Sequence, residues 1–338
     1  KPVSTVAPVV KAETPAAVPA NATPAVKSDS DISINNPKWK VSQPGIGGGK
    51  NLKAVYFVDA WTGWAAGDEG TIFHTTDGGK KWNQIRSNAF TGKIVDVRRI
   101  QFANENRGWM LAETRSNAGE QPQSILLTTN DGGRIWLHMS MPGVESFCFV
   151  DDHKGWAVGE NATIVKTTDG GIRWRPVLGI SRVLDLPSGT SPSDFAFSDV
   201  YFLNADIGWA VGNYLGKAAA NNGSLFMTVD GGESWQRIPI ALLKKSTSGK
   251  TMKGKLLSVR FTSLSNGVIS GEMEDAGEKF AFTLKTSDGG ETWEQNRVPS
   301  ATAQTSHFLD PSRGWSAASV AHTGTAQENE TKLLRTIN

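Results

Sequence analysis

Five aspartates recur in one pattern. Asp77, Asp131, Asp169, Asp230 and Asp288 each precede a Gly-Gly pair, and a tryptophan follows five positions later, at Trp82, Trp136, Trp174, Trp235 and Trp293. Carboxylates do general acid–base work and bind calcium, but either chemistry needs several unlike groups converging on one point. Each of these boxes supplies one carboxylate among glycines, without the clustered oxygens of a calcium loop. The spacing suits a tight turn instead. An Asp there accepts hydrogen bonds from the backbone N–H groups just after it. The glycines admit positive φ, and the Trp buries a large ring whose indole N–H can find an acceptor. On this reading the five boxes are folding devices.

A second set of residues differs from copy to copy. Each copy carries a phenylalanine early on, at 57, 102, 149, 202, 261 and 308, and the residue before it is Tyr56, Gln101, Cys148, Tyr201, Arg260 or His307. With Arg98 and Arg99 nearby, this set offers guanidinium and hydroxyl groups suited to an anionic group or a peptide segment. The plainer reading is tolerated variation at half-buried positions. A third set lies in residues 243–255, where Lys244, Lys245, Lys250, Lys253 and Lys255 occur with no acid. Such a stretch suits an acidic protein surface or anionic lipid headgroups. It is equally a solvated loop, and it is too short for DNA. The five histidines are scattered, without metal-ligand spacing. No glycine-rich phosphate loop precedes a helix. No metal or cofactor is expected.

The elements that position these residues follow from the repeat. Around each box the chain returns to Phe, then Gly-Trp at 63, 108, 155, 208 and 314 (Gly267-Val268 in the fifth copy), then the box. A unit of about 40 to 55 residues with four short apolar runs is one four-stranded propeller blade. The predicted fold is therefore all-β, a single β-propeller of six four-stranded blades, with seven as the alternative. The sixth copy stops at Asn338, where the others carry the box Asp, and its missing fourth strand is sought near Trp39. Residues 38–43 are expected to pair with 331–337 and close the ring, which protects the terminal blades. In this arrangement the innermost strands border a central channel, so the residues before each Phe lie at the channel or its mouth. Long second-to-third strand loops are expected at 112–123, 213–222, 271–279 and 320–331, all on one face, where loops commonly carry recognition.

Residues 1–34 are rich in Ala, Pro, Val, Thr and Ser and lack aromatics. They read as a disordered tether, and 35–338 as the propeller. The formal charge of +2 excludes a protein that binds nucleic acid through its overall field. No run approaches the ~18 apolar residues of a membrane span. The lone Cys148 excludes an intrachain disulfide. The chain begins at Lys1, which is read as a processed start after signal-peptide removal.

The combination of Gly-Trp-Ala-x-Gly, Thr-x-Asp-Gly-Gly and Trp resembles the Asp-box (BNR) propeller superfamily, and within it the photosystem II stability/assembly factor family. The resemblance covers 35–338. It implies an extracytoplasmic location (periplasmic, lumen-like or secreted) and a non-catalytic scaffold or accessory factor that binds a protein partner of a membrane or cell-surface complex. The alternatives are a secreted carbohydrate-binding module and a sialidase-like glycoside hydrolase, since those enzymes share the box. Sialidases carry Arg-Ile-Pro on an early inner strand. Here Arg237-Ile-Pro239 follows a box Trp late in the chain, which argues against that chemistry.

Overall fold

The computed structural model describes residues 39–41, 50–87, 94–114, 123–139, 143–177, 191–215, 223–240, 253–275, 278–298, 303–310, 313–320 and 330–336. The tether at 1–34 and Lys244, Lys245 and Lys250 lie outside the described residues. Among the described residues no helix is long and apolar enough to cross a membrane.

Five blades are each one continuous run of four antiparallel strands. Blade one is Leu52–Phe57, Gly63–Gly67, Ile72–Thr75 and Asn83–Ile85. Blade two is Ile94–Phe102, Gly108–Thr114, Gln123–Thr129 and Leu137–Met139. Blade three is Val144–Phe149, Gly155–Gly159, Ile164–Thr167 and Arg175–Pro176. Blade four is Phe195–Phe202, Gly208–Tyr214, Gly223–Thr228 and Gln236–Ile238. Blade five is Lys253–Phe261, Gly267–Asp275, Glu278–Thr286 and Glu294–Val298. Second strands such as Gly63–Gly67 are buried along their whole length, because a neighbouring blade covers each face. Fourth strands such as Asn83–Ile85 lie at the exposed rim.

The expectation of six blades, with seven as the alternative, is corrected to five. The remaining four-stranded sheet is of another kind. It joins Trp39–Val41 from one end of the chain to Glu330–Thr336, Arg313–Val320 and Ala303–Asp310 from the other. Among the described residues its end-to-end pairing joins Trp39 with Thr336, Lys40 with Arg335 and Val41 with Leu334, within the expected span of 38–43 on 331–337. The physical reason for the correction is the turn. Counting the early Phe gives six copies, but the box turn that joins a third strand to a fourth is present in five, and in the remaining sheet Trp39–Val41 takes the fourth place without one. The segment 271–279 is also corrected, since strands run to Asp275 and resume at Glu278.

The seams between the five blades are built from one device. The Gly-Trp tryptophan of each blade stacks flat on the inner-strand phenylalanine of the next: Trp64 on Phe102 at 3.6 Å, Trp109 on Phe149 at 3.6 Å, Trp156 on Phe202 at 3.5 Å and Trp209 on Phe261 at 3.8 Å between centroids. That phenylalanine then meets its own blade's box tryptophan edge-on, as Phe102 meets Trp136 and Phe202 meets Trp235. The glycine before each tryptophan is set by the same packing. Phe102 lies across Gly108 in the hairpin register, and a Cβ there would stand 2.5 Å from the ring.

Candidate functional site

In the box turns, Thr75 donates its hydroxyl to Asp77 Oδ1 at 2.9 Å and accepts the Gly79 N–H at 3.0 Å. Asp77 Oδ1 also accepts the N–H groups of Lys80 and Lys81 at 2.9 Å each. Gly78 and Gly79 have φ of 75° and 79°. The turns at Asp131, Asp169, Asp230 and Asp288 repeat the Thr hydroxyl and backbone bonds. Burial works to raise the Asp77 carboxyl, and the N–H groups of Lys81 and Lys80 with the Thr75 hydroxyl outweigh it, so its pKa falls. Asp288 is likewise lowered, chiefly by the Thr292 hydroxyl and N–H. The first glycine of each box donates to the tip of its blade's first hairpin, as Gly78 does to Trp61 O at 2.9 Å and Gly170 to His153 O at 2.7 Å. All boxes therefore share one face with those tips. The exposed group Asp151, Asp152 and His153 is one such tip, where Asp151 accepts the N–H groups of His153 and Lys154.

The inner strands carry a different arrangement. Each has a bulge three to five residues before its phenylalanine, between Val97 and Arg99 in blade two and between Phe197 and Asp199 in blade four. Beyond the bulge, positions one and three before the phenylalanine point to the same side. Asp199, whose side chain is 4% exposed, gathers this side together. Its Oδ1 accepts Arg99 Nη1 from blade two at 2.6 Å and Ser146 Oγ from blade three at 2.6 Å. Its Oδ2 accepts Arg260 Nη1 at 2.6 Å and Val259 N–H at 3.1 Å, both from blade five. Blades two and four are not neighbours, so the Arg99–Asp199 bond passes in front of blade three's inner strand, whose Ser146 joins it. Burial would raise the Asp199 carboxyl, but Arg260 and Arg99 outweigh it and hold its pKa at about 2.

The other residues expected at the channel surround this knot. Arg260 lies over the Tyr201 ring at 5.5 Å. Gln101 bonds the Phe149 backbone through both ends of its amide, at 2.7 and 3.0 Å, and shares a side-chain hydrogen bond with Tyr56. Burial pushes the phenols of Tyr56 and Tyr201 up. The buried Cys148 accepts the Phe202 N–H at 3.4 Å, and burial raises its thiol. His307 pairs with Trp315 in register on the composite sheet; its side chain is outside what is described.

Arg98 is not brought to this cluster. It is the extra residue of the blade two bulge, and its guanidinium bridges Glu113 and, at 3.0 Å, Glu145 of blade three. Lys253 and Lys255 sit at the start of blade five's inner strand, in register with Glu274 and Glu272. Asp199 and Ser146 were not anticipated from sequence. Their signal is the row three positions before each phenylalanine, which reads Ala54, Arg99, Ser146, Asp199, Ser258 and Thr305.

A family profile described as Photosynthesis system II assembly factor YCF48 matches residues 32–145 and 142–246, more than half of the chain. The Photosystem II assembly protein Ycf48 of Thermosynechococcus vestitus (strain NIES-2133 / IAM M-273 / BP-1) is 34% identical over 202 residues, 49% of this chain and 51% of that protein. The Photosystem II assembly lipoprotein Ycf48 of Synechococcus sp. (strain CC9902) is 28% identical over 143 residues, 40% of this chain and 35% of that protein. The chain thus matches about half or less of the length of these curated relatives. Among solved structures, YCF48 from Cyanidioschyzon merolae superposes with a TM-score of 0.54 at 14% identity, over 88% of this chain and 98% of that one. A structure described as YCF48 bound to D1 peptide gives 0.52 at 16% identity, over 94% and 100%. A GH74 enzyme of Niastella koreensis gives 0.50 at 12% identity, over 83% and 52%. At such identities these structural likenesses speak to the β-propeller fold alone. The repeated boxes, the stacked seams and the matched profile together place this chain in the photosystem II assembly factor YCF48 family, a family of assembly factors and not of enzymes.

Proposed function

We propose that this protein is a non-catalytic, extracytoplasmic scaffold that docks on a protein of a membrane complex during its assembly, using the arginine-lined channel mouth to hold an anionic peptide group. The observation that carries this reading is the Asp199 knot. Two guanidiniums face one carboxylate, leaving one net positive charge, and Arg99 and Arg260 keep 23% and 43% of their side-chain surface in reach of solvent. A general acid needs a pKa near the working pH. Asp199 is held at about 2 and the box carboxylates are lowered, so these groups cannot deliver a proton at neutral pH. The relatives named as photosystem II assembly proteins, and the one named as bound to a D1 peptide, support a peptide of a membrane protein as the partner. The name of the one lipoprotein relative supports an extracytoplasmic location.

The test is crosslinking with mass spectrometry in the native host, paired with capture by the purified chain. Recovery of a membrane protein, with capture weakened about tenfold or more in Arg260→Gln at unchanged fold, supports the reading. Clear hits on a glycan array, or hydrolysis of a fluorogenic sialoside, would overturn it.

A further inference from the structure

Among the described residues four seams carry a tryptophan–phenylalanine stack, and the seam after blade five has a valine in the tryptophan's place. The tryptophans of the four are buried: Trp64, Trp109 and Trp209 are 0% exposed and Trp156 is 3% exposed. In blade five the corresponding position is Val268. It pairs in register with Arg260 and Lys285, as Trp209 pairs with Tyr201 and Met227. The glycine is kept, since a Cβ on Gly267 would strike the Phe261 ring. The blade's own packing is therefore intact, and only the group that should reach the next sheet is missing. Val268 is half-buried.

The next sheet is the composite one, and it is held from its other side. Among the described residues, its inner strand Ala303–Asp310 and second strand Arg313–Val320 lie against blade one's inner strand Leu52–Phe57, and the backbone of blade five makes no comparably close approach. An aromatic stack adds to area burial, and valine cannot span the same gap. We propose that the ring parts between blade five and the composite sheet, which moves with blade one. The opening borders Arg260, the cross-strand partner of Val268, so it would loosen the blade five end of the Asp199 knot. This inference rests on packing and is independent of the partner proposed above.

Hydrogen exchange on the full chain reads it directly. Amides of Gly267–Asp275 and Ala303–Asp310 should exchange about tenfold or more faster than those of Gly208–Tyr214 and Lys253–Phe261, which line a stacked seam. Val268→Trp should slow the first pair about tenfold. The reverse variant, Trp209→Val, should speed exchange at Lys253–Phe261 by a similar factor, and it decides the matter if Val268→Trp fails to fold. Equal exchange at the two seams of the unmodified chain overturns the proposal. So does a folded Val268→Trp with unchanged exchange, or Trp209→Val without effect on its own seam.

Discussion

Two kinds of aspartate in this protein are satisfied in similar ways and by opposite routes. Asp131 of a box accepts the Thr129 hydroxyl and the N–H groups of Arg134 and Ile135, all within four residues of it. Asp199 accepts two guanidinium groups, a hydroxyl and an N–H from residues 53 to 100 positions away, on three other blades. The box is solvated and recurs five times. The knot is buried and occurs once. Equal satisfaction of lone pairs therefore says little about consequence. What differs is what each carboxylate leaves behind when it is removed.

The largest effect expected from this contrast is at the knot. Asp199→Ala leaves Arg99 and Arg260 close together without the carboxylate they share and should cost about 3–5 kcal/mol, read by denaturant unfolding. A cost near that of a box variant would show that the knot is not structural. Next comes pH. The folded pKa of Asp199, about 2, lies below the ordinary 3.8. Its contribution is thus complete above about pH 4 and is lost as pH falls toward 2, roughly 2–3 kcal/mol. Asp199→Asn should unfold with that step removed from the acid side of the stability curve. Smaller again is Asp131→Ala, which frees one local turn and should cost about 1 kcal/mol, in line with loss of a helix cap. Its loss should be confined to blade two in hydrogen exchange. Smallest is Arg98→Ala. Its guanidinium is 42% exposed and bridges two half-buried glutamates, so thermal unfolding should move by less than ~1 kcal/mol.

The repeat made much of the fold legible. Asp-Gly-Gly at fixed distance from Trp announced the turn, because every partner of the box Asp lies in the next few residues or two before it. Gly-Trp announced the buried second strand. The pairing of the two chain ends was legible from Trp39, since a lone tryptophan outside any copy asked for a place. The number of blades was not, because copies of a motif were counted where a covalent turn was needed. The channel cluster was only half legible. The row before each phenylalanine pointed at Tyr56, Tyr201 and Arg260, whereas Asp199 sat two residues away in a row that carries no repeat. Arg98 and Arg99 are adjacent in sequence, yet the bulge sends one to the seam and the other into the channel.

The sequence alone determined the strands, the five turns and the order of the blades, because local hydrogen bonds and period-two burial are written in neighbouring residues. Only the tertiary structure decided which unlike residues meet at the axis. Packing the blades side by side brings atoms of residues one hundred positions apart to within 2.6 Å, and a chain that repeats its scaffold carries no local record of that meeting.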